Sequence, residues 1–126
     1  MDYKGLYLKA KEASKKSYSP YSKFKVGACV ETEDGKVFSG CNIENVSFGA
    51  TICAERVACT KAISEGYNKI SKIAIYSRKG KTMPCGICRQ FLYEFNEKME
   101  IITGKNEDEL QVYPLNELMP EGFDTI

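Results

Sequence analysis

Three cysteines and one glutamate in this sequence have the types and spacing to hold a metal ion and move a proton. Cys85 and Cys88 lie in "PCGIC", with the two-residue gap that lets both thiolates bind one ion. Cys53 lies in "TICAERVA", at a predicted helix start, with Glu55 two positions further on. The chain contains no histidine, so the commonest general base and metal ligand is absent. Three protein ligands leave zinc a fourth, open position for water, which is the arrangement of catalytic rather than structural sites. A carboxylate beside that water can take its proton and deliver it elsewhere. The expected cofactor is one Zn2+ per chain, held by Cys53, Cys85 and Cys88, with Glu55 as the catalytic proton shuttle.

Three thiolates on one dication leave an excess of about one negative charge, so a cation is expected nearby. Only three of the 18 basic residues are arginines, and two of these, Arg56 and Arg89, lie within three positions of a proposed ligand. A guanidinium can hydrogen-bond thiolates and draw off charge. The plainer reading places both arginines on helix surfaces. Glu55 alone would read as a helix-start carboxylate facing the dipole; beside three cysteines it reads as the shuttle. Cys29, Cys41 and Cys59 lack ligand spacing and are expected to be small buried hydrophobes.

These groups need elements that bring them together. Tyr3, Leu6, Tyr7, Ala10 and Ala13 recur at helical spacing, and the helix should stop before "SYSPYS". "FKVGACVETEDGKVFSGCNI" reads as a hairpin turning at Asp34-Gly35. A helix is expected from Thr51 to about Ser64, with Gly66 as its stop, then a strand over "ISKIAIYS". "KGKTMPCGIC" reads as a loop leading into a helix over "RQFLYEFNEK", with Phe91, Leu92 and Phe95 facing the core. "MEIITG" and "LQVYPL" read as strands, and "NELMPEGF" as a tail ending in a turn. The order predicts a three-layer α/β domain in which a helix, strand, helix unit brings two helix starts to one sheet edge.

The chain's 126 residues suit one domain over 1–126. A net charge of +1 gives no support to a nucleic-acid partner, and the most basic run, "SRKGK" at 77–81, reads as a solvated loop. No apolar stretch reaches the roughly 18 residues of a membrane span. The first residues lack the apolar run of an export signal. A cytoplasmic protein with reduced thiols is therefore expected, rather than a disulfide framework.

The residues resemble a known family. C-A-E at 53–55 and P-C-x-x-C at 84–88 are the pattern of the zinc-dependent nucleoside and nucleobase deaminases, in the three-cysteine version. "SPYSKFKVGA" at 19–28, "CNIENVSFG" at 41–49, "PCGICRQ" at 84–90 and "ELMPEGF" at 117–123 resemble the small homotetrameric cytidine deaminases, from about Ser19 to Phe123. The resemblance implies an α-β-α sandwich around a mixed five-stranded sheet. It also implies that Asn42 and Glu44 hold the ribose hydroxyls, that Phe24 lines the pyrimidine pocket and that the backbone at Ala54 helps read the base. Phe123 would reach a neighbouring subunit's site in a homotetramer. Phe48 stands where the family often has tyrosine, and Ile87 replaces a usual small residue.

The implied reaction is hydrolytic deamination of cytidine and deoxycytidine in pyrimidine salvage, with a small nucleoside, not nucleic acid or membrane, as partner. Three alternatives stay open. A redox or structural C-x-x-C protein would use Cys85 and Cys88 without Cys53. A single-stranded nucleic-acid deaminase would need a basic groove with stacking aromatics. A deaminase of a cytosine-containing antibiotic nucleoside would share the zinc motifs, and "NIEN" leans toward ordinary ribose.

Overall fold

In the computed structural model, which describes residues 1–125, the chain runs α1 (Tyr3–Ser14), β1 (Val26–Thr32), β2 (Val37–Cys41), a 3-10 turn (Phe48–Ala50), α2 (Ala54–Ser64) and β3 (Ile70–Ser77). It continues through α3 (Gly86–Tyr93), β4 (Glu100–Gly104), β5 (Leu110–Pro114) and α4 (Leu115–Leu118). The five strands form one mixed sheet in the order β2-β1-β3-β4-β5, in which only β3 and β4 are parallel neighbours.

Strand alternation explains the three layers. In β1, β3 and β4, Val30, Ile73 and Ile101 point to one face and Cys29, Ala74 and Ile102 to the other. The first set packs against Ala54, Ala58 and Ala62 of α2 and Leu92 of α3. The second packs against Leu6, Tyr7 and Ala10 of α1. With helices on both faces, β1 is buried along its whole length and reads as a nearly continuous apolar run. At Gly27 the backbone of α1 comes so close that a built Cβ would lie 1.9 Å from the Ala10 carbonyl oxygen. Glycine is what lets that helix seat directly on the strand.

Topology sets the place of the site. β2 and β3 are each antiparallel to β1, so they run in the same direction with β1 between them. α2 connects β2 to β3, and α3 connects β3 to its parallel neighbour β4. Both helices therefore start beyond the carboxyl ends of equally directed strands, at one edge of the sheet, where open α/β folds place their ligands.

The sequence expectations need three corrections. α2 starts at Ala54, not Thr51, because Cys53 is extended (φ −71°, ψ 154°) and occupies the N-cap position. α3 starts at Gly86 and ends at Tyr93, so Cys88 lies inside the helix rather than in the loop before it, and Phe95 falls beyond its end. Phe91 and Phe95 nevertheless pack, half-buried, against the core around Leu92. The chain leaves α3 early because it tightens onto the Leu92 carbonyl, which accepts from both Phe95 and Asn96. Finally, the tail contains a short helix, α4, whose Leu115 is buried. The hairpin, the first helix and the Gly66 stop, with φ +96°, are as read. Cys29 and Cys59 are buried, while Cys41 is half-buried. No helix is long and apolar enough to cross a membrane, among the described residues.

Candidate active site

Cys53 and Cys85 occupy the N-cap positions of α2 and α3, and neither side chain is used to cap its helix. Cys88 follows in the first turn of α3. All three sulfurs thus sit where free backbone N–H groups and the positive ends of two helix dipoles favour thiolate over thiol. The three Sγ atoms lie within 4.8 Å of one another, and those of Cys53 and Cys85 are 3.9 Å apart. Zinc–sulfur bonds of about 2.3 Å in a tetrahedron place sulfurs roughly 3.8 Å apart, so the cluster fits one Zn2+. The three are free cysteines that come together from two helices, which the two-cysteine redox reading does not require.

Arg56 is the arginine that reaches the sulfurs. Its Nη2 lies 4.0 Å from Cys53 Sγ and donates to the Thr51 carbonyl at 3.2 Å, while its buried Nε has no partner. Hydrogen bonds from Cys88 and from Arg56 pull the Cys53 thiol down to about 5. Cys88 is pushed the other way, chiefly by its hydrogen bond to Cys53 and by burial. The neighbours of Cys53 thus favour its thiolate form. Arg89 does something else: its Nε donates to the Pro84 carbonyl at 2.7 Å and its Nη1 to the Leu118 carbonyl at 2.9 Å. It braces the loop that carries Cys85 against α4, with its hydrogen bonds going to carbonyls rather than to sulfur.

Glu55 is 4% exposed, in the first turn of α2 beside the sulfurs. Burial raises its carboxyl to about 7, and the charge on Cys53 adds to the rise. A group that is half-protonated near neutral pH can both accept and donate a proton.

Tyr21, Ser22, Glu44, Phe48 and Thr51, the last of them two positions before Cys53, line a cavity of about 430 Å3. Glu44 is fixed there: one carboxylate oxygen accepts from the backbone N–H groups of Tyr21 (2.9 Å) and Ser22 (3.1 Å), the other from the Ser22 hydroxyl. The hydrogen bond from the Ser22 hydroxyl is the main reason its carboxyl lies below the usual range. Asn42 is buried and mostly committed to the fold: its Oδ1 accepts from Val26 N–H (3.0 Å) and the Ser17 hydroxyl, and its Nδ2 donates to the Phe24 carbonyl (2.8 Å). One amide N–H is left for a ligand. Phe24 is half-buried, packed on the core, with Lys79 Nζ 4.9 Å from its ring centre. Ala54 is buried at the start of α2. Phe123 is 67% exposed, although its backbone is clamped by Gln90, whose Nε2 donates to the Phe123 carbonyl and whose Oε1 accepts from the Phe123 N–H.

Sequence reasoning had not singled out Tyr21, Ser22 and Ser17, the groups that orient Glu44 and Asn42. The signal was faint: they lie inside "SYSPYS", which reads as a helix stop and, from Ser19, as part of a resembling motif, with neither reading giving these residues a role. Phe48, noted for its missing hydroxyl, sits edge-on to Tyr21, with ring centres 6.0 Å apart.

A thiolate cluster at paired helix starts, with a buried carboxyl beside it, defines a metal-dependent hydrolase on an α/β scaffold. The description "Cytidine and deoxycytidylate deaminase zinc-binding region" matches residues 2–105, and the chain belongs to that family. It is 38% identical over 125 residues to a cytidine deaminase of Sporosarcina psychrophila, spanning 98% of this chain and 92% of the relative. With a cytidine deaminase of Halalkalibacterium halodurans the identity is 40% over 125 residues, spanning 98% and 95%. A crystal structure of cytidine deaminase from Burkholderia pseudomallei superposes with a TM-score of 0.92 at 40% identity, covering 98% of this chain and all of that one. One from Mycobacterium tuberculosis gives 0.89 at 35%, covering 99% of each.

Proposed function

We propose that this chain catalyses the hydrolytic deamination of cytidine and deoxycytidine to uridine and deoxyuridine, with release of ammonia. The observation that carries the reading is the meeting of Cys53, Cys85 and Cys88 beside the buried Glu55. Zinc held by the three thiolates supplies Lewis acidity that makes water a nucleophile near neutral pH. Glu55 accepts the proton that water releases as its oxygen bonds to C4 of the base, and gives it to N3. It then carries a second proton to the amino group as the C4–N bond breaks, so that water's hydrogens and the departing ammonia balance. Arg56 holds the Cys53 thiolate and offsets the cluster's excess negative charge.

Around this centre, Glu44 and the free N–H of Asn42 are placed to receive ribose hydroxyls, Phe24 to line the pyrimidine pocket and the backbone at Ala54 to read the base edge. A carboxylate already held by three donors keeps its outward lone pairs for a ligand without reorganising, which favours a hydroxyl-bearing sugar. The reaction suits recycling of free pyrimidine nucleosides in the cytoplasm.

The test follows cytidine absorbance as it converts to uridine, with and without a zinc chelator. Turnover that the chelator abolishes and added zinc restores is the expected result; turnover of neither nucleoside would sink the reading.

The assembly is a homotetramer. Support lies in Val46, Phe48, Ile87 and Phe123, large apolar side chains exposed around the site, Phe48 by 76%. A rim of that kind is typical of a surface covered by another chain. Sedimentation equilibrium should give about four times the chain mass of 14.1 kDa, whereas a concentration-independent monomer would refute the assembly.

A further inference from the structure

On the opposite face of the sheet from the thiolates lies a second concavity that the deaminase chemistry does not use. It measures about 410 Å3 and is lined by Lys11, Ser14, Lys15, Lys25, Tyr76 and Arg78. Tyr76 belongs to the core layer under α1, whereas Ala54 and Ala58 of α2 belong to the other layer, which places the groove behind the active site. We propose that this groove binds an oligophosphate chain, either free or carried by a nucleotide.

Four cations from three separate segments converge there: Lys11 from α1 and Lys15 just past its end, Lys25 from the entry to β1, and Arg78 from the exit of β3. Val26 pairs with Ser77 across the sheet, so Lys25 and Arg78 sit opposite each other just beyond the last rung. Among the described residues, no carboxylate lines the cavity. Lys15 pairs with Glu12 at 3.0 Å and Lys11 approaches Glu107 at 4.0 Å, but neither Lys25 nor Arg78 has an acidic partner within 4.0 Å among the described residues. In a chain whose net charge is only +1, Lys25 and Arg78 facing each other beside two further lysines are a local concentration of positive charge whose repulsion an anion would relieve.

Residue choice points the same way. The chain has 15 lysines and three arginines. Arg56 and Arg89 are accounted for at the zinc cluster and its loop, and the third, Arg78, lines this groove. Its planar fork matches two phosphate oxygens at once, which a lysine cannot do. Several cations spread over one concavity suit linked phosphates better than a single carboxylate. A single concavity, rather than a stripe with stacking rings, separates it from a nucleic-acid track, and the face of Tyr76 already carries Lys11 at 5.9 Å.

The experiment titrates the full, zinc-loaded chain calorimetrically at about 150 mM salt with inorganic triphosphate, ATP and a single-stranded oligothymidine. Saturable binding of a triphosphate at one site per chain is expected. The double change Lys25→Ala, Arg78→Ala should weaken it at least about tenfold, with zinc content and unfolding temperature showing that the fold is kept. Lys98→Ala, which removes one positive charge from an exposed position outside the groove, should leave it unchanged. Tighter binding of ATP identifies a nucleotide as the source and equal binding the phosphate chain itself; both uphold the site. No binding of either, an equal loss in Lys98→Ala, no loss in the double variant, or tighter binding of the oligothymidine would overturn it.

Discussion

Replacing Glu55 with glutamine is expected to lower kcat by about 10³-fold or more while one zinc per chain remains bound. The carboxyl lies outside the sulfur cluster, so its loss removes no ligand. Glutamine keeps the volume of the buried side chain and can still accept a hydrogen bond, but it cannot take a proton from water and release it to N3 or to the leaving amine. Zinc analysis beside steady-state kinetics separates the two effects; a kcat within tenfold of the parent, or loss of the metal, would contradict the shuttle role. The same variant has a second readout in metal-free protein. Burial places the Glu55 carboxyl at about 7 in the fold against 4.5 in the unfolded chain. Below pH 4.5 the group is protonated whether the chain is folded or not, and its contribution is complete. Between 4.5 and 7 only the unfolded chain ionises, so stability falls as pH rises through that window, by roughly 3 kcal/mol in all. Denaturant titrations across the window should show this decline in the parent and not in Glu55→Gln.

How much of this could be read from the sequence follows from what each signal depends on. The strands were legible because Cys29, Ala74 and Ile102 alternate with Val30, Ile73 and Ile101 to serve two covered faces. Cys53, Cys85 and Cys88 were legible as a metal set because helix starts and a two-residue gap are local features. Helix boundaries were less so. Whether Cys53 is the first residue of α2 or its N-cap depends on a single ψ angle, and the sheet edge decides it by drawing the sulfur toward Cys85. Arg89 shows the limit more sharply. Its sequence position allowed a thiolate contact, but the carbonyl of Leu118, 29 positions away, lies within reach only once α4 has folded back beside α3. The groups that lock Glu44 were hidden for the same reason: Ser22 reads as turn chemistry until the fold brings residue 44 against it.

Cys53→Ser is expected to abolish zinc binding and turnover together, although Cys85 and Cys88 remain intact. A serine hydroxyl is not ionised near neutral pH, whereas the Cys53 thiol is held down to about 5 by hydrogen bonds from Cys88 and Arg56. The substitution therefore removes the sulfur most readily ionised, leaving a pair too few to hold the ion. A redox couple or a two-cysteine site would survive the change, so retained zinc at one per chain would restore that reading. The fold itself should persist, because the core on both sheet faces is made without the cluster. What disappears is the stabilisation that bound zinc gives the native state, roughly 3–4 kcal/mol when free zinc is 100- to 1,000-fold above its dissociation constant. Cys59→Ser is the matched control. That thiol is buried on α2, pushed up to about 12 by desolvation, and packed in the core rather than turned to the sulfurs. It should lose stability from a poorly accommodated hydroxyl yet keep zinc and turnover, and the contrast assigns the metal to one particular group of three among the chain's six cysteines.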